Sequence, residues 1–188
     1  LAAVDSLKKE ILNFKSITLN ERQLCDLEML MNGSFSPLTG FLRKADYEAV
    51  LNDVRLSDGS VWPIPINLDV SGEFGKELKI EDRLVLRDHE GIALAVMTIS
   101  DMWSPDKTEE AEKVYGTQDI KHPAVNYLMD QSGDIYLGGK LEGLEMPRHY
   151  DYLSLRHTPS EIRDQFEKMG WTKVVAFQTR NPMHRAHK

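Results

Sequence analysis

The sequence predicts an α+β protein, a strand-rich domain with flanking helices followed by the opening of an α/β layer. Three observations support this. Residues 61–70, 83–87 and 92–99 are short apolar or alternating runs divided by turn residues, as in a small antiparallel sheet or barrel. Residues 21–31 carry leucines at helical spacing ahead of them. Near the end, a capped helix, a glycine and the apolar run Val174-Val-Ala-Phe177 read as helix, stop and buried parallel strand.

In chain order, Ile17-Thr-Leu19 is a candidate strand, and Asn20 is placed to cap the helix over 21–31. Leu24, Leu27, Leu30 and Met31 share one face of that helix, and Asn32-Gly33 ends it. Cys25 lies inside it and is expected to be a small core filler, because no basic partner sits at helical spacing. The loop over 33–42 lacks the spacing of a phosphate-binding glycine loop, so Phe35, Leu38, Phe41 and Leu42 are expected to plug the core. A short helix follows over 46–51. From Val61 the period changes to two: Ile64, Ile66, Leu68 and Val70 alternate with Pro65, Asn67 and Asp69, predicting a half-buried strand, at an edge because of Pro63 and Pro65. Residues 83–87 and 92–99 form a hairpin about the turn at 88–91. Residues 107–115 read as a charged helix closed by Gly116, and His122-Pro123 opens another. Residues 134–144 read as a strand with a bulge or turn at Gly138-Gly139.

The weakly periodic stretch 146–157 is a linker, which divides the chain into domains 1–157 and 158–188. Thr158, Pro159 and Glu161 form a strong helix start, with Ile162, Phe166 and Met169 as the apolar stripe and Gly170 as the stop.

Composition narrows the function. The 188 residues carry a net charge of −7, which counts against broad nucleic-acid or anionic-membrane binding. The apolar share of 41 % and charged share of 28 % are those of a soluble globular protein, and no apolar run is long enough to span a membrane. One cysteine rules out an internal disulfide framework and fits a reducing, cytoplasmic setting.

Chemistry concentrates in the last residues, Gln178-Thr-Arg-Asn-Pro-Met-His-Arg-Ala-His187-Lys188. Asn181-Pro182 repeats the helix-start signal, so His184 and His187 fall three apart on one face of the first turns. Free backbone N–H groups and the positive helix end converge there, which suits a phosphate. Arg180 adds a planar fork for a second oxyanion, and Gln178 an amide. Histidines at this spacing are also found as zinc ligands or ordinary surface residues; here no Glu lies between them and no cysteine pair is near, which favours the phosphate reading.

The run Phe177-Gln-Thr-Arg-Asn-Pro-Met-His-Arg-Ala-His187 resembles the signature of the ATP sulfurylase family. Asn32-Gly-Ser-Phe-Ser-Pro-Leu-Thr-Gly-Phe-Leu42, Val61-Trp-Pro-Ile-Pro-Ile-Asn-Leu-Asp69 and His149-Tyr-Asp-Tyr152 resemble the same family, so the likeness covers nearly the whole chain. The resemblance implies a PUA-like β-barrel domain, then the first strand, turn and helix of a Rossmann-like nucleotidylyl-transferase domain with an H-x-x-H motif. It implies transfer of the adenylyl group of ATP, with Mg²⁺ on its phosphates, to sulfate, giving adenosine 5′-phosphosulfate and pyrophosphate. It implies that Gln178 and Arg180 hold sulfate, that Gln178, Thr179, Arg180 and Asn181 approach ATP, and that His184 and His187 stabilise phosphate charge. It also implies a homo-oligomer.

The family's catalytic domain continues well beyond this motif. The chain, starting at Leu1 and stopping at Lys188, is therefore expected to be a piece of a longer protein and inactive alone. A competing reading is a non-catalytic PUA-like binding or oligomerisation module; a third is a nucleotidylyl transferase for another acceptor.

Overall fold

The computed structural model describes residues 2–179 and Arg185. It divides into two compact units, Leu1–Asp151 and Tyr152–Lys188.

The first unit opens with α1 (Ala2–Glu10) and a single 3₁₀ turn, Ile11–Asn13, where the sequence shows no clear helical period. The next elements are β1 (Lys15–Thr18) and α2 (Glu21–Met31). The Asn20 side chain accepts the Gln23 N–H while the Gln23 side chain accepts the Asn20 N–H, a reciprocal cap that fixes where α2 begins. Gly33 closes the helix at φ +84°, in the left-handed region. Leu27 and Leu30 are buried, and Leu24 and Met31 pack beside them. Cys25 is exposed, contrary to the expectation of a core filler. It stands two residues from both Gln23 and Leu27, so about 200° of helical rotation turns it away from their buried face.

β2 (Gly40–Phe41), α3 (Lys44–Asp53), β3 (Leu68–Val70) and the single turn α4 (Gly72–Gly75) follow. Phe41 and Leu42 are buried, with Phe35 and Leu38 packed against the core as the loop composition predicts. The half-buried strand expected over 61–70 is not formed as such. Its last three residues pair with β6 and Val61 makes an isolated bridge with Arg55, Ile64 is exposed, and the supposedly outward Asn67 and Asp69 are buried. Pro63 and Pro65 remove two donors from the ladder, and α2 donates to the Asn67 backbone carbonyl and to Asp69.

The sheet is completed by β4 (Arg83–Arg87), β5 (Ala93–Trp103) and β6 (Ile135–Gly143). Between β5 and β6 lie α5 (Lys107–Glu110), which widens into a π turn over Ala111–Tyr115, and α6 (Pro123–Asn126), which widens over Tyr127–Gln131. Gly116 ends the first at φ +67°.

The strand order is β1-β4-β5-β6-β2, with β3 also on β6. β1 runs parallel to β4 and every other pairing is antiparallel. β3 and β2 lie end to end along one edge of β6, facing Ile135 to Leu137 and Gly139 to Lys140 respectively. The sheet is therefore open, not the closed barrel expected. Closure would require β1 to pair with β2 or β3, and among the described residues it pairs only with β4. Strands of two and three residues offer too few ladder groups to seal a seam.

Leu84, Leu86, Leu94, Met97, Ile99 and Leu137 line the core with Leu27 and Leu30 of α2. Burial of each such side chain contributes about 2 kcal/mol. A second cluster joins Tyr47, Leu51, Trp103 and Tyr136, whose rings meet edge-on or tilted at 5.5–5.8 Å.

The second unit holds a 3₁₀ turn, Leu153–Leu155, and α7 (Pro159–Lys168). Thr158 accepts the Glu161 N–H and Glu161 accepts the Thr158 N–H, so the capping box is formed as the sequence predicts. Gly170 stops the helix at φ +68°, and Trp171 folds back to stack on Phe166 at 5.9 Å. Among its described residues this unit carries no strand. Residues 174–177, expected to be a buried parallel strand, are exposed, with Val175 at 93 %.

Candidate functional site

Of the site residues expected from the sequence, Gln178 and Thr179 are described. Both are exposed and follow directly on the apolar run at 174–177. Arg180, Asn181, His184 and His187 lie outside the described residues. The structure therefore places two adjacent members of the motif and is silent on the remaining four.

The first unit contains a polar centre that periodicity did not reveal. Arg22, on the first turn of α2, donates from Nη1 to Asp26 Oδ2 at 2.7 Å and from Nη2 to Asp69 Oδ1 at 2.5 Å. Its Nε donates to Tyr127 Oη at 3.1 Å, and Asn20 Nδ2 donates to the same oxygen at 3.0 Å. Asp69 also accepts from Gln23 Nε2 at 3.0 Å and from the Gly133 N–H at 2.7 Å. One carboxylate on β3 thus ties α2 to the loop before β6. A cavity of about 130 Å³ borders these groups and is lined also by Asn67, Glu110 and Tyr136.

Burial pushes the Asp26 carboxyl up to about 6, although the adjacent Arg22 works the other way. Burial also raises Glu110, against the two phenols that donate to its Oε2, Tyr47 at 2.9 Å and Tyr136 at 3.0 Å. Both tyrosines are raised in turn, by burial first and then by the charge of Glu110. The carboxylates of this centre have hydrogen-bond partners, the buried Asn67 Oδ1 has none among the described residues, and no nucleophile stands beside a base. Asp69 cross-links β3, α2 and the loop before β6, and Glu110 cross-links α5, α3 and β6. The available signal was the oddity of Asn67 and Asp69 within an apolar run, which alternation misassigned to solvent.

Among the described residues no group of three or more His, Cys, Asp or Glu side chains is arranged to hold a metal ion. No helix among them is long and apolar enough to cross a membrane. His122 stands at the N-cap of α6 without a side-chain cap bond and lies tilted against Tyr115 at 5.5 Å. His149 contacts Glu28 at 2.7 Å, which ties the segment after β6 to α2.

Comparison with known proteins adds what the geometry cannot. A family model described as a PUA-like domain matches residues 2–146, and one described as ATP-sulfurylase matches residues 153–188. The chain is 50 % identical over 184 residues to a sulfate adenylyltransferase of Eremothecium gossypii, covering 98 % of this chain and 37 % of that protein. It is 49 % identical over 195 residues to the sulfate adenylyltransferase of Saccharomyces cerevisiae, covering 100 % of this chain and 38 % of that one. Among solved structures, one described as a hexameric APS kinase from Thiobacillus denitrificans superposes with a TM-score of 0.75 at 38 % identity, covering 97 % of this chain and 32 % of the other. The chain thus spans well under half the length of the proteins it matches. It belongs to the PUA-like domain family over its first unit, and residues 153–188 match the ATP-sulfurylase model.

Proposed function

We propose that these residues are part of a sulfate adenylyltransferase, which joins ATP and sulfate into adenosine 5′-phosphosulfate and releases pyrophosphate. The observation that carries this reading is the match of residues 153–188 to the ATP-sulfurylase family, which takes in the whole motif Gln178 to His187. The roughly 50 % identity to sulfate adenylyltransferases across the chain supports it.

In this reading a sulfate oxygen attacks the α-phosphorus of ATP. The bond from that phosphorus to the bridging oxygen breaks, and pyrophosphate leaves. Sulfate is already ionised, so no protein base is required. The task is to hold two anions together and to stabilise charge on a crowded phosphorus. Gln178 and Arg180 hold sulfate, and Gln178, Thr179, Arg180 and Asn181 approach the nucleotide. His184 and His187 of the H-x-x-H motif donate to the phosphate oxygens. Mg²⁺ enters on the ATP as part of the substrate. The 174–177 run takes its place as the first strand of a Rossmann-like domain, and the protein acts in the cytoplasm. The hexamer named for the structural relative supports self-association of the complete protein.

The test is pyrophosphate release from the full-length protein carrying this sequence. Release should require ATP together with sulfate, or molybdate as its analogue. Arg180→Ala and His184→Ala should each lower kcat/KM by at least about a hundredfold, or about 3 kcal/mol of barrier. Pyrophosphate release that is indifferent to sulfate overturns the proposal.

A further inference from the structure

A cleft of about 330 Å³ opens in the first unit, between the segment 37–43, residues 56–58 and the β5–β6 ladder. That volume suits a small metabolite. Its lining includes Arg43, the residue before α3, and Lys140 on β6. Among the described residues neither cation has an ion pair or a side-chain hydrogen bond. The acidic residues beside them are differently placed. Asp46 Oδ1 accepts the Ser57 N–H at 3.0 Å and also the Ser57 hydroxyl. Asp58 Oδ1 accepts the Ser60 N–H at 2.8 Å. Both carboxylates are occupied in shaping the 56–60 turn, which leaves the guanidinium and the ammonium open to the cleft.

The backbone contributes independently. Ile99 and Asp101 of β5 pair with the consecutive residues Gly139 and Gly138 of β6, so Ser100 is the extra residue of a β-bulge and has no ladder partner. The bulge puts Ser100 in the lining of the cleft with Arg43 and Lys140. The adjacent wall is backbone packed without room for a side chain: a Cβ on Gly40 would stand 1.9 Å from the Gly139 carbonyl oxygen. A ligand here meets two unpaired cations from different elements, a hydroxyl on a bulge, and carboxylate lone pairs at the rim that can accept hydroxyl protons.

We propose that this cleft binds a small oxyanion ester, a phosphate or sulfate group carried on a hydroxylated body, with Arg43 and Lys140 on the anion. Arg43 offers a fork that matches two oxygens, Lys140 a point charge, and Ser100 a further donor. Asp46 and Asp58 face the hydroxyls of the body and disfavour a ligand with charge at both ends. The site is built from residues of the first unit alone, so its existence does not depend on the catalytic proposal.

Amide NMR of the 188-residue chain tests it, with ribose 5-phosphate, inorganic phosphate and ribose as probes. Ribose 5-phosphate at millimolar concentration should shift the amides of Ser100, Gly139 and Lys140, phosphate should shift the same amides more weakly, and ribose should leave them unmoved. Arg43→Gln and Lys140→Gln, both at exposed positions, should each weaken binding at least about tenfold, while Arg180→Gln leaves it unchanged. Ribose 5-phosphate binding no better than inorganic phosphate would confine the site to an adventitious ion and overturn the ester. Overturning results are also shifts that persist in both cleft variants, equal shifts with ribose alone, or no shift at all.

Discussion

Asp26 sits 2.7 Å from a guanidinium, yet its carboxyl is pushed up to about 6 from an ordinary 3.8, because burial outweighs the attraction. Between those two values the folded chain holds a proton that the unfolded chain has released. The stability due to that proton is complete below the unfolded value and is lost as pH rises through the folded one. Glu110 is raised by burial as well and acts in the same direction. Unfolding free energy should therefore fall from about pH 4 to about pH 6, with Asp26 accounting for about 2 kcal/mol of the fall. Urea titrations across that range should show a shallower fall in Asp26→Asn, and an unchanged slope would show that Asp26 does not titrate there. Asp26 pairs with Arg22 one turn earlier on the same helix, but the burial that raises it leaves no mark in the sequence. Asp69 shows only as a polar residue in an apolar run, and its partners Arg22 and Gln23 come from another element. Cys25 was misread for the opposite reason: its hydrophobic character was weighed above its position on the helix, which turns it outward.

At the scale of elements, local chemistry was the better guide. The Asn20 cap, the Gly33 stop, the 83–99 hairpin and the Thr158–Glu161 box are all formed from neighbours within four residues or across one turn. The π-widened turns after α5 and α6 left no such signal. Nor did the shortness of β3, which follows from which neighbours could donate to it. The double glycine in β6 is packed closely against backbone. A Cβ on Gly139 would stand 2.1 Å from the Thr98 carbonyl oxygen, and backbone cannot step aside as a side chain can. Gly139→Ala should cost about 3 kcal/mol or more, read as a lowered urea midpoint, with the loss centred on the β5–β6 ladder. A change below about 0.5 kcal/mol would mean that the two strands separate more freely than their register implies.

For the whole molecule, the two units differ in what holds them. The first has a continuous apolar core; α7 in the second has no buried residue. Its helix rests on a cap, one aromatic stack and its own hydrogen bonds. Hydrogen exchange should show amides of 159–168 exchanging at least about tenfold faster than those of 83–87 in the same sample. Equal protection would require a core for α7 that its exposed surface does not supply. The motif that resembles the ATP-sulfurylase signature was legible because it is contiguous, whereas the open sheet was not, since closure depends on edges that only three dimensions bring together. The strand order also has a consequence for synthesis. β6 is the last strand of this sheet to be made, yet β2, β3 and β5 all hang on it. Gly40 waits for Lys140, about 100 residues later. At a ribosomal rate of roughly 5–20 residues per second, the nascent chain carries its unpaired early strands for about 5–20 seconds before their partner emerges. The cell must shelter those edges through that interval, so the burden of this topology falls on translation before it falls on the finished fold.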